Sequence, residues 1–555
     1  MNRTIVGVLL PALLVACGCQ HQKTQESPAA RETRIFDGFG SYTRTVSTDS
    51  PEAQQWFNQG MQLLYGFNHD EAVRSFEKAT EHDPDCAMAW WGISYAQGIN
   101  INDPMMSEQR SKRGYDAAQT ALSHIDNASP PEQALVRAVV ERYEWPAPED
   151  RAFLDQAYAD AMESAHEQFP DDPDIGTLYA ESLMNLQPWD YWTTEGEPKG
   201  RIVEVVDVLE EVIAIDPDHP GANHFYIHAV EASDDPDRAI PSAEVLTDLV
   251  PGSGHLVHMP SHVFVRVGRY ADAADSNVDA IEADRAYFAV APQPHYYYLY
   301  YAHNLHFLAY AAMMEGRYQV AINAAKDLRR DIPDEFIEAY PGIGEALVMT
   351  DMHVYSFGKW HEILKQPIPP ASRKLERAIY YYARSIAYSA LGQTGHARSA
   401  KLKFEKWMAR VPGEWLQFNN RIDSVLPIAE SMIAGELLFR EGRTEEAFSV
   451  LREGIEAEDA LVYDEPPGWM LPVRHALGAL LMSEGRYAEA EQVYREDLER
   501  NKDNGWALIG LEQALISQGK FDEAERVSER LDKAWTRADV DPSSSCFCEP
   551  GVAMQ

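Results

Sequence analysis

Large apolar, small and polar residues return along this chain in a fixed order. In AQQWFNQGMQLLYGFNHDEAVRSFEKATEHDP, Trp56, Gly60, Ala72, Phe76, Ala79 and Pro84 stand at set intervals among polar positions. The phrasing recurs as GRYADAADSN from Gly268, EGRYQVAINAAKDLRRDIP from Glu315, EGRTEEAFSVL from Glu441, EGRYAEAEQVY from Glu484 and QGKFDEAERVSERL from Gln518. Each unit predicts two antiparallel helices. The glycine closes the first helix, alanines let the pair approach closely, and a proline ends the second.

This spacing resembles the tetratricopeptide repeat (TPR). The resemblance implies an all-α fold, a TPR helical-hairpin solenoid wound as a right-handed superhelix. About nine to ten irregular repeats are expected between residues 51 and 535, interrupted by WTTEGEPKG, AVAPQPH and KQPIPPAS. Two further segments, NLQPWDYW from Asn185 and DEPPGWMLPVRHALGALLMSEGR from Asp464, resemble large bacterial TPR proteins; that likeness supplies no function.

The termini add a location. Arg3 precedes the apolar run IVGVLLPALLVA, which is too short to span a bilayer and has the form of a secretory signal. LVAC, ending at Cys17, resembles a bacterial lipobox, with an ordinary cleaved signal as the alternative. The resemblance implies lipidation of Cys17, a lipoprotein signal peptide over 1–17, and an exported protein anchored to the outer membrane facing the periplasm. Residues 18–50 read as a linker and 536–555 as a flexible tail, with the CFC of Cys546 and Cys548 unassigned. Apart from that lipid anchor no contact with a membrane is expected.

Charge narrows the partners. Lys and Arg total 48 against 88 Asp and Glu, a net charge of -40 that repels nucleic acid, so none is expected as a partner. Nucleophile elbows, phosphate loops, dinucleotide fingerprints and the HExxH pattern are absent from the sequence.

The histidines change the picture most. The alanines Ala239, Ala273 and Ala321 mark the same place in three successive units, within the His-rich span 219–310. Counting back fifteen residues gives His224, His258 and His306; eleven gives His228, His262 and Tyr310; eighteen gives Gly221, His255 and His303. These are the places that the TPR family turns toward its concave groove. Seven of the nine are histidine in a chain with only 18. Residues three, four and seven apart share a helical face, so His224, His228 and Glu231 form one line and His255, His258 and His262 another. Neighbouring helices about 8–10 Å apart let such lines converge on an ion bound at about 2.0–2.1 Å. Imidazole with an occasional carboxylate suits zinc, copper, iron or manganese.

The candidate ligands are therefore His224, His228, Glu231, His255, His258, His262, His303 and His306, with Glu231 alternatively orienting an imidazole from behind. Glu181, Arg266, Tyr300 and Tyr310 are candidates for a surrounding shell or substrate pocket, against plain packing or ion pairing. Three functions stay open. The first is a metal-binding scaffold with a protein, peptide or small-molecule ligand in its groove. The second is a metal-dependent hydrolase or oxidoreductase on the same scaffold, and the third is a metal-free peptide binder.

Overall fold

The computed structural model describes residues 33–291, 295–355 and 357–546. Almost all regular structure in it is helical, the exception being a two-stranded hairpin, Leu416–Gln417 with Asn420–Arg421. The helices pair in chain order, from Pro51–Tyr65 with His69–His82 to Gly505–Ser517 with Phe521–Ala534. The irregular stretches also form helices, among them Pro130–Glu141 with Ala152–Gln168 and Pro341–Val348 before Thr350–Tyr355. Repeat spacing does not announce these.

The local chemistry is that of the repeat. Gly268, Gly316, Gly442, Gly485 and Gly519 all follow a first helix with φ between 73° and 80°. A side chain disfavours this left-handed backbone, and glycine closes each helix there. Gly60 and Gly92 both face the Phe76 ring, and Gly478 and Gly510 both face Tyr494, leaving no room for a Cβ. Ala239, Ala273 and Ala321 are fully buried, each three residues after the start of its turn or helix at Pro236, Tyr270 and Tyr318. The phase taken from the sequence is thus the phase of the fold.

The superhelix is wound tightly enough for distant units to touch. A Cβ at Gly268 would meet the Lys502 carbonyl, Trp506 Nε1 donates to the Met313 carbonyl at 2.9 Å, and Asp539 N donates to Gly316 O at 3.0 Å. Two expectations are corrected by this winding. Residues 33–50 are no free linker: Phe39 and Val46 are buried, and Arg44 pairs with Asp172 at 2.8 Å and Asp174 at 2.7 Å. Nor is the start of the C-terminal segment a loose tail. Arg537 pairs with Glu315 and with Asp275, and Ser545 Oγ donates to the His475 carbonyl at 2.9 Å. Each segment satisfies buried polar groups that solvent could not reach. Cys17 and the signal segment lie outside the described residues, as does Cys548. Among the described residues no helix is long and apolar enough to cross a membrane.

Candidate metal centre

Three consecutive first helices supply the centre. Pro220–Val230 carries His224 and His228, with Glu231 at its C-terminal end. Gly254–His258 and Pro260–Arg266 form one first helix interrupted at Met259, where Pro260 offers no N–H; it carries His255, His258 and His262. Tyr298–Met314 carries His303 and His306. The first of these helices is fixed at its start by His219, whose Nδ1 accepts from Ala222 N at 3.0 Å while Nε2 bonds Asp174 at 3.2 Å. Gly221, the one small residue among the nine groove places, is explained by Tyr65, whose ring fills the space a Cβ would need.

Six imidazoles gather into two groups. His224, His228 and His255 form an inner one, and His258, His262 and His303 an outer one; in each, one possible ligand atom per residue lies within 4.8 Å of the others. His224, His228 and His255 are 0–2% exposed, His258 and His262 0% and 3%, whereas His303 is half-buried. The groups adjoin, with His228 and His262 ring centroids 5.6 Å apart.

Hydrogen bonds fix which nitrogen faces inward in four of the six rings, His224, His228, His258 and His262. His224 Nδ1 lies 2.7 Å from the Tyr65 carbonyl, which only accepts, so Nδ1 carries the proton and Nε2 presents a lone pair. His228 Nδ1 lies 2.9 Å from Glu231 Oε1, and its Nε2 is buried without a partner. His255 Nε2 faces His224 Nε2 at 3.1 Å, and its Nδ1 has no partner. In the outer group, Asn277 Nδ2 donates to Ala273 O at 2.8 Å, which leaves Asn277 Oδ1 to accept from His258 Nδ1 at 2.8 Å. His262 Nδ1 donates to Glu231 Oε2 at 2.6 Å. His258 Nε2 and His262 Nε2 then meet at 2.7 Å, and His303 Nδ1 is unpaired.

Protonation sets His262 apart, since burial holds His258 and His303 well below the usual histidine range as it does the inner rings. Burial, and then the neighbouring imidazoles, hold His224 and His255 well below the usual histidine range. Burial also lowers His228, against the pull of Glu231. His262 goes the other way: burial opposes its charge, but Glu231 and Glu465 raise its pKa. Burial works against the Glu231 carboxylate too, and the adjoining His262 and His228 nevertheless hold its pKa below the usual range. The contact between His258 Nε2 and His262 Nε2, at 2.7 Å, is shorter than the 3.1 Å inner contact.

The expected residues divide clearly. His306 does not join either group. It stacks on Phe418, with centroids 5.6 Å apart, and burial, then His353, depress its pKa to about 3. Three residues along a helix turn a side chain about 60° aside, enough to carry His306 to the next unit. Glu181 accepts from Tyr95 at 2.7 Å and from Asn185, away from the imidazoles. Arg266 donates to the backbone carbonyls of Glu231 and Ser233 and lies over the Tyr463 ring. Tyr300 packs on His255 at 4.4 Å. Tyr310 is buried toward Asp497 and Glu465 and borders no imidazole ring.

Other walls were not foreseen. Phe67 packs on His224 at 4.6 Å and on His255 at 5.4 Å. Trp189 stands 5.1 Å from His228, and Phe418 5.9 Å from His303. Glu465 reaches His262 Nδ1 at 3.4 Å from far along the chain. Trp189 and Glu465 sit in NLQPWDYW and DEPPGWM, the two segments that stood out in the sequence; Phe67 and Phe418 left no signal.

A TPR family model matches residues 481–534, and the helical hairpins on the N-terminal side of that match continue the same all-α helical-repeat architecture. Among curated proteins nothing matches the sequence. Solved structures similar to it include the human IFIT1 dimer with m7Gppp-AAAA, at 11% identity over 80% of this chain and 90% of that one, TM-score 0.34. Another is the APC/C hetero-tetramer Cut9-Hcn1, at 12% identity over 88% of this chain and 76% of that one, TM-score 0.29. A helical-repeat scaffold of this class suits a protein-binding role.

Proposed function

We propose that this chain binds a transition-metal ion through histidines buried where three consecutive repeats meet. The observation that carries the reading is in the inner group. His224 Nε2 and His228 Nε2 are both acceptor ends in a buried space, and one neutral His255 has a single proton to offer them. A buried acceptor without a donor costs about 1–3 kcal/mol. A cation satisfies all three nitrogens together. Ligands at about 2.0–2.1 Å on one ion stand about 2.8–3.4 Å apart, from a right angle to the tetrahedral angle, and the 3.1 Å inner contact falls within that range. Nitrogen donors with no thiolate nearby suit zinc, copper, iron or manganese.

The test is metal analysis of the purified protein. At least one near-stoichiometric ion is expected, with loss in the double variant His224→Ala, His258→Ala. Protein that carries no metal and takes none after incubation with zinc, copper(II), iron(II) and manganese(II) sinks the reading.

A second reading, a metal-dependent hydrolase or oxidoreductase, draws on His303. Its half-buried ring gives the outer group a solvent edge, where an ion could keep a position for water or a substrate. The repeat scaffold supports a protein, peptide or small-molecule partner as well, at surfaces other than the inner histidines, which a groove-bound peptide would not reach. Export and anchoring at the periplasmic face of the outer membrane through Cys17 complete the proposal, on the lipobox-like LVAC. Palmitate labelling of the wild type and of Cys17→Ala tests that part.

A further inference from the structure

We propose that the centre holds two ions, one on His224, His228 and His255 and one on His258, His262 and His303, with Glu231 outside both and orienting a ring of each. This rests on the metal reading above and deepens it.

The argument is a count of nitrogens and protons. Glu231 has two carboxylate oxygens, and each is taken: Oε1 lies 2.9 Å from His228 Nδ1 and Oε2 2.6 Å from His262 Nδ1. These two rings belong to different groups. With each Nδ1–H held by the carboxylate, each Nε2 is left to its own group, so one side chain turns two imidazoles in opposite directions. The carboxylate–histidine–metal arrangement, in which a carboxylate behind the ring sets its tautomer and raises its basicity, is here used twice on a single glutamate.

A single ion fits less well. Six imidazoles exceed what a tetrahedral nitrogen site takes, and the inward-facing contacts come as two separate pairs, His224 with His255 and His258 with His262. His228, Glu231 and His262 also form a possible triad. An ion held there by the two Nδ1 atoms would need both protons removed and both hydrogen bonds to Glu231 broken, and would leave His228 Nε2 still unpaired. Every other ring has its own anchor or wall: the Tyr65 carbonyl behind His224 and Asn277 behind His258, with Tyr300 against His255 and Phe418 against His303.

The two sites differ in readiness. The inner 3.1 Å contact already has the spacing of ligands on one ion, while the outer 2.7 Å contact must open by a few tenths of an ångström. His303 alone is half-buried, so the outer ion is the one that exchanges with solvent and accepts a small oxygen or nitrogen ligand.

The experiment is a cobalt(II) titration of chelator-stripped full-length protein, read by visible absorbance and by metal analysis, with circular dichroism checking the fold. Two equivalents are expected for the wild type. One is expected for His224→Ala with His255→Ala, one for His258→Ala with His303→Ala, and two distinct spectra from these complementary pairs. Glu231→Gln should weaken both ions by about 10- to 100-fold, the scale seen when such an orienting partner is lost, and shift both spectra. One equivalent in the wild type, abolished by either pair, overturns the proposal in favour of a single centre. Two equivalents with one or neither affected by Glu231→Gln overturn the shared anchor. No cobalt bound at all defeats the metal reading itself. Should the variants fail to fold, anomalous scattering from wild-type crystals grown with cobalt decides between two peaks, one on each side of Glu231, and one.

Discussion

The two histidine triads are built from the same residue type on neighbouring helices, share Glu231, and yet differ in what else surrounds them. The inner one is held mainly by backbone and aromatic rings, with the Tyr65 carbonyl behind His224, Glu231 behind His228, and Phe67, Trp189 and Tyr300 against the imidazoles. The outer one also has an aromatic wall, Phe307 against His258 and His262, but adds side chains that carry charge or dipole, with Asn277 behind His258 and the carboxylates of Glu231 and Glu465 beside His262. Rigid apolar walls keep imidazoles neutral and acceptor ends bare. Carboxylates invite a proton onto one ring, so the same ligand chemistry becomes proton-competed.

The sharpest way to break the contrast is at its walls. Phe67→Ala removes a buried ring from the inner side, and a loss of about 3–5 kcal/mol in folding stability is expected, read by denaturant unfolding. A loss below about 1 kcal/mol would mean that the ring bears on nothing essential.

Next in size is the orienting partner. Asn277→Leu takes the acceptor from His258 Nδ1 and should weaken the outer cobalt by about 10- to 100-fold, leaving the inner one unchanged by the same titration. The inner counterpart is a main-chain carbonyl and has no equivalent substitution. Equal weakening of both ions would erase the difference.

Acidity separates the sites through one ring, since burial lowers His258 and His303 as it does the inner three. His262 has a raised pKa, so below it an outer ion must displace a proton, and its affinity should fall about tenfold per pH unit there. His224, His228 and His255 have lowered pKa values and stay neutral over the same range. Titrations stepped from pH 8 to pH 6 should therefore lose the outer ion first. In metal-stripped protein the lowered inner groups bind fewer protons folded than unfolded. Their contribution to stability is complete above about pH 6.5 and declines as pH falls. His262 contributes oppositely, its share present in acid and lost as pH rises through its folded value.

The smallest effect is expected at the rim. Phe418 is half-buried in the hairpin beside His303 and His306. Phe418→Ala should cost only about 1 kcal/mol while speeding removal of the outer ion by a chelator, with the inner rate unaltered.

Much of this was legible in the chain. The glycine after each first helix and the alanine at the start of the second fixed the phase, and six of the seven histidines counted from it come together. His306 escapes because helical geometry, correct for its own helix, does not say which neighbour its face meets. Glu465 and Phe418 were out of reach for a related reason: repeat arithmetic relates each unit to the next, whereas the winding brings 418 and 465 back over the centre. The tautomers, which decide what the rings can bind, depend on Asn277 and a main-chain oxygen, and no pattern of residue types encodes a carbonyl.

The return of the C-terminal units onto the middle of the chain has a consequence for how the molecule comes apart. In a linear repeat array each unit touches only its neighbours, and unfolding can peel inward from an end. Here Trp506 and Arg537 are fastened to Met313 and to Glu315, so the last repeats cannot fray without exposing the middle ones. The spring is closed by a clasp, and force applied to the last repeats is carried to the helix that bears His303 rather than spent on the terminal coils.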